Sequence, residues 1–107
     1  MKSNVELRPS KAYTLTHSRS AKKLSEAPEV ITISAVVLFD RTDANGEVKT
    51  VTAIETVDGT VYVSNSPSIA QSFEEMIDFN VLPEGTPVKI IHSKSRNGRE
   101  YLLAELA

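Results

Sequence analysis

A chain of 107 residues has room for one domain with a single modest core, and rarely for two. It has no cysteine, which excludes disulfides and thiolate metal sites, and no apolar run near the ~20 residues that span a bilayer. With 40% hydrophobic and 24% charged residues and a formal net charge of −2, it reads as a soluble globular protein whose overall charge does not itself point to a polyanion.

Residues 1–29 hold six basic and three acidic side chains, a net of +3, and show no sustained period. Within them Tyr13–Thr16 reads as a short strand and Ser20–Ala27 as a short helix stopped by Pro28. The whole stretch reads as a basic N-terminal arm, partly flexible. No signal-peptide apolar stretch opens the chain, so a cytoplasmic protein is expected.

From Val30 the character changes. Residues 30–107 carry six basic and eleven acidic side chains, a net of −5. Val30–Phe39 is β-branched, long and apolar on both faces over part of its length, which predicts a bent strand. Asn45-Gly46 marks a turn, and Glu47–Val57 is a second strand. Asp58-Gly59 turns again into Thr60–Ser64, a third strand with clean alternation. Ser66 then offers an N-cap and Pro67 a first helical residue. Ile69, Ala70, Phe73, Met76 and Ile77 share one helical face, with Gln71, Glu74, Glu75 and Asp78 toward water. Pro87–His92 and Glu100–Leu106 are the fourth and fifth strands, joined by a hairpin loop over Lys94–Arg99. The order β-β-β-α-β-β predicts an all-β domain with one helix over residues 30–107: a five-stranded Greek-key OB-fold barrel, the helix between strands three and four.

No catalytic constellation is present. The glycines stand singly at turns, so no phosphate-cradling loop exists. His17 and His92 lie far apart in sequence, and Glu74 and Glu75 sit on a predicted solvent face. The sequence calls for no enzyme activity, no cofactor and no metal.

Binding of a single-stranded nucleic acid needs cations along a groove and flat side chains on which bases stack. Three of the six basic residues beyond position 29 are Lys94, Arg96 and Arg99, clustered in the hairpin loop of an otherwise acidic domain. Alternation puts Val61 and Val63 inward and Tyr62 outward. It puts Val88 and Ile90 inward and Lys89 outward, and it sets Tyr101 opposite Leu102, Ala104 and Leu106. Lys49 is read as exposed, and Arg41 as standing where strand one meets its loop. The predicted nucleic-acid contacts are therefore Arg41, Lys49, Tyr62, Lys89, Lys94, Arg96, Arg99 and Tyr101, with Phe39 assigned to the core. Gly98 supplies the positive φ of the hairpin turn. The rival reading is a protein-interaction module on the same barrel, without nucleic-acid binding.

The segment Val88–Tyr101, with its Lys94-Ser95-Arg96-Asn97-Gly98-Arg99-Glu100-Tyr101 core, resembles phage-encoded single-stranded DNA-binding proteins. Asp58–Ser66 followed by the Phe73 helix is similar to the same family, and so is Lys23–Ala27 leading into the first long strand. The resemblance covers residues 20–106. It implies an OB-fold that coats and protects single strands in phage DNA replication or recombination, in the host cytoplasm, with phosphate contact at Lys94, Arg96 and Arg99 and stacking at Tyr62 and Tyr101. Single-stranded DNA is the expected partner, and RNA is not distinguished from it. No membrane is expected. Strand edges leave room for a homodimer or higher self-association, and replication proteins are candidate partners. The acidic tail by which many such proteins recruit others is not seen before Ala107.

Overall fold

The computed structural model describes all of residues 1–107. In chain order it contains β1 (Lys2–Ser3), α1 (Pro9–Thr16), β2 (Lys22–Lys23) and a 3-10 turn at Leu24–Glu26. These are followed by β3 (Val30–Thr42), β4 (Val48–Thr56), β5 (Val61–Ser64), α2 (Pro67–Asp78), β6 (Thr86–Lys94) and β7 (Glu100–Leu106). One sheet of seven strands runs β2-β5-β4-β3-β6-β7, with β1 paired to β3 off this path. β2 pairs with β5 in parallel and every other pairing is antiparallel, so the sheet is mixed.

This corrects the expected five-stranded, one-helix closed OB barrel. The sheet is an open half-barrel with two helices, and its two ends are each occupied by something other than the strand that would close it. The edge of β5 is taken by Lys22 and Lys23, in register with Tyr62 and Val63. The edge of β7 faces α2: the Ser68 hydroxyl donates to the Leu102 carbonyl at 2.7 Å, and Ser72 Oγ accepts from the Ala104 N–H at 3.4 Å. Two hydroxyls therefore satisfy edge groups that a neighbouring strand would otherwise bond.

The bend expected in the first long strand is a break in register. β3 pairs with β4 at Ile33↔Thr56 and next at Ala35↔Glu55, leaving Ser34 as an inserted residue. An inserted residue reverses the alternation. Ile31 and Ile33 face the main core before it, and Val36 and Leu38 after it. That core is closed by α2 through Ile69, Ala70, Phe73 and Met76. Ser66 caps the helix by accepting from the Ile69 N–H at 3.5 Å, as the sequence predicts.

The other face of β3 is apolar because α1 covers part of it. Leu15 is only 1% exposed and packs on Ala35 and Val37. Tyr13–Thr16, expected as a strand, is the second half of this helix. Pro9 starts it at N1, and Thr14 and Thr16 donate back to the Ser10 and Ala12 carbonyls, both at 2.9 Å. Burial of Leu15 outweighs the strand preference of Tyr and Thr. The helix expected over Ser20–Ala27 reduces to the turn Leu24–Glu26, with Leu24 buried in the main core. No helix is long and apolar enough to cross a membrane.

Candidate nucleic-acid interface

Cross-strand partners share a face of a sheet, so the register assigns sides. Arg41 pairs with Lys49, Phe39 with Val51, Val37 with Ala53, and Ala53 in turn with Val63. These residues form the face that α1 covers at the Ala35–Val37 end. Beyond the helix the face is open, and the next layer of side chains is cationic.

A cleft of about 430 Å³ lies there. Val51, Val63 and Leu102 form its apolar floor, and Lys23, Arg41 and Lys49 are its cations. Asp43, just past β3, is its one carboxylate. Ser25, Ser64 and Asn65 add neutral polar groups. Residues of β2, β5 and β7 meet here, so the cleft is the seam left by the open sheet.

The cations are available to different degrees. Lys23 is exposed on β2 and has no ion-pair partner. Lys49 stands 3.7 Å from Asp43. Arg41 donates from Nη2 to the Thr16 carbonyl at 2.9 Å, at the C-terminal end of α1, and its guanidinium lies 5.3 Å from the centre of the Phe39 ring. Such contacts fix a guanidinium in place and still leave donors free. The Glu47 N–H above all, with the Asn45 N–H and the Lys49 ammonium, holds the Asp43 carboxyl below its ordinary range. Asp43 therefore stays charged and neutralises part of Lys49.

The neighbouring hollow carries the opposite sign. Lys49 and Thr50 form one wall, and Glu74, Glu75 and Asp78 of α2 the other. Lys2 answers two of these, at 2.7 Å from Asp78 and 3.5 Å from Glu74, and the Asp78 bond raises its pKa. The two hollows therefore differ in sign, with the cations on the Lys23–Arg41–Lys49 side and the carboxylates on the α2 side.

Of the eight residues predicted to contact nucleic acid, Arg41 and Lys49 come together in the cleft. Lys94, Arg96 and Arg99 form an exposed hairpin tip with no ion pair. The tip is closed by the Ser95 N–H to the Arg99 carbonyl at 2.9 Å and by Gly98 at φ +76°. Leu102 borders the cleft three residues on, roughly 10 Å of extended chain from Arg99.

The other three lie elsewhere. Tyr62 is 8% exposed and sits in the main core opposite Ile54, which corrects its expected outward direction. β5 does alternate, but both of its faces are covered, so the two valines do not mark the inside. Tyr101 is half-buried and pairs with Ser93, on the side of β7 away from Leu102. Lys89 pairs with Val30, at the opposite end of β3 from Arg41, and stands 3.4 Å from Glu29. Lys23 was not among the predicted contacts. Its signal was present, since it opens the Lys23–Ala27 segment that resembles the family.

No group of three His, Cys, Asp or Glu side chains comes together as a metal site would require. A family model described as phage single-stranded DNA-binding protein, of the phi29 type, matches residues 12–107. No curated protein and no solved structure matches the chain. The family match begins inside α1 and takes in every residue of the cleft.

Proposed function

We infer the function from one premise: this chain belongs to the phage single-stranded DNA-binding protein family. Its members bind and do not catalyse. Within that, we propose that the chain holds single strands with little regard for sequence and protects them during phage DNA replication or recombination. The cleft carries the proposal: Lys23, Arg41 and Lys49 stand around a floor of Val51, Val63 and Leu102. Cations meet phosphates and an apolar floor meets base or sugar surface, and neither reads base identity. The hairpin cations Lys94, Arg96 and Arg99 extend the positive surface from the Leu102 side. Replication proteins are the partner class proposed. Edge-to-edge pairing of two copies at β7 would compete with the bonds that Leu102 and Ala104 already make to α2.

The test is a titration of labelled oligothymidylate, followed by anisotropy at two salt concentrations, with a mixed-sequence strand and a duplex of equal length alongside. Both single strands should bind with similar affinity, the duplex more weakly, and binding should fall steeply with salt. No anisotropy change at low salt would refute the reading.

A further inference from the structure

We propose that the stacked pair Tyr13–His17, at the end of α1, is a base-stacking platform that carries the single strand out of the cleft. The proposal rests on the DNA-binding reading above. The two rings lie 4.1 Å apart between centroids at 15°. Tyr13 is 65% exposed, although α1 needs only Leu15 to dock on the sheet. The His17 ring is held by its Nδ1, which lies 2.9 Å from both the Tyr13 carbonyl and the Thr16 hydroxyl. A flat aromatic surface is thus fixed in position and left open to solvent.

Arg41 links this platform to the cleft. It lines the cleft, and it also lines a second hollow of about 510 Å³ that His17 and Phe39 share. Its guanidinium joins the two elements, bonded to the Thr16 carbonyl and stacked toward Phe39. A strand leaving the Lys23–Lys49 cations past Arg41 therefore arrives at π-faces. Asp40 also borders this hollow, its carboxylate accepting from the Thr50 hydroxyl at 3.0 Å. The exposed ring faces of Tyr13 and His17 offer this end a stacking surface, so it takes a base. Stacking on an aromatic face is tolerant of base identity, in keeping with the cleft.

The experiment compares wild type, Tyr13→Phe, Tyr13→Ala and Lys49→Gln with an oligothymidylate of about 16 nucleotides, the upper range for one small binding domain. Anisotropy gives affinity, and intrinsic tyrosine fluorescence gives ring contact. With Tyr62 buried and no tryptophan in the chain, Tyr13 should supply much of the quenching in wild type. Tyr13→Phe should keep the wild-type affinity and lose most of the quenching. Tyr13→Ala should weaken binding about fivefold or more, as the loss of one stacked base does. Undiminished quenching in Tyr13→Phe, or wild-type affinity in Tyr13→Ala, overturns the platform. If Lys49→Gln weakens binding while Tyr13→Ala does not, the cleft stands and the platform alone falls. Absence of binding by wild type would instead sink the functional reading.

Discussion

Neutralising two cations of the cleft, Lys23→Gln with Lys49→Gln, should change the salt dependence of DNA binding by a calculable amount. Each phosphate contact on a single strand contributes about −0.7 to the slope of log K against log salt. The cleft offers three cations and the hairpin tip three more, so the full set predicts a slope of about −4. Between roughly 50 and 200 mM salt that slope is a loss of about 300-fold in affinity. Removing Lys23 and Lys49 should flatten it to about −3, a loss of about 50-fold over the same range. Lys49 gives up little in turning to a phosphate, because its contact with Asp43 at 3.7 Å is an exposed pair worth at most about 1 kcal/mol. Both lysines are exposed, so the fold should survive the change. Anisotropy of a labelled oligothymidylate at four or five salt concentrations, for both proteins, measures the two slopes. Equal slopes would refute the placement of phosphates in the seam, whatever the absolute affinities.

Replacing Lys94, Arg96 and Arg99 together by glutamine should flatten the same plot by about 2, and an unchanged slope would remove the hairpin from the interface. Asp43→Asn keeps the Oδ1 acceptor for the Asn45 and Glu47 N–H groups but releases Lys49, so affinity at low salt should rise several-fold; weaker binding would contradict the electrostatic account. Thr52 is fully buried in β4 with its hydroxyl unpartnered, so Thr52→Val should stabilise by about 1 kcal/mol, read calorimetrically as a rise in Tm of about 4–8 °C. A lower Tm would mean that the hydroxyl has a partner. Asp58 is held below its ordinary range by the Thr56 hydroxyl first and then the Thr60 N–H, and Asp43 is also depressed. A depressed carboxyl contributes stability that is present above its unfolded pKa and lost as pH falls through the folded one. Asp58→Asn should therefore lessen the fall in Tm below about pH 4, and an unchanged acid limb would show that the turn gains nothing from the charge.

Local signals made α2 and the strand segments legible. Ser66-Pro67 marks the helix start and the Ile69–Phe73–Met76 spacing its buried face, and both hold in the structure. What the sequence could not display was covering by distant segments. Val37 and Val61 are apolar because Leu15, far away in the chain, docks near them. Without that knowledge the valines on either side of Tyr62 read as the inside of a barrel, and Tyr62 reads as a ligand contact. The inserted residue at Ser34 is hidden for a related reason: where both faces are apolar, a reversal of alternation leaves no trace. Arg41 and Lys49 were legible as surface cations at strand ends, whereas Lys23 needed the parallel pairing of β2 to reach them.

That pairing joins the fold to the site. A closed barrel would bring β5 and β7 together, and the space between Val63 and Leu102 would be core. Instead Lys22–Lys23 occupies the β5 edge and the α2 serines occupy the β7 edge, so the seam stays open. The same two residues that block closure bring Lys23 to the rim of the opening. The apolar floor thus lies at the seam, and its cations arrive partly on the strand that keeps the seam open. The seam of the unclosed seven-stranded sheet is what brings Lys23, Arg41 and Lys49 around one opening, and the proposed DNA groove rests on that geometry.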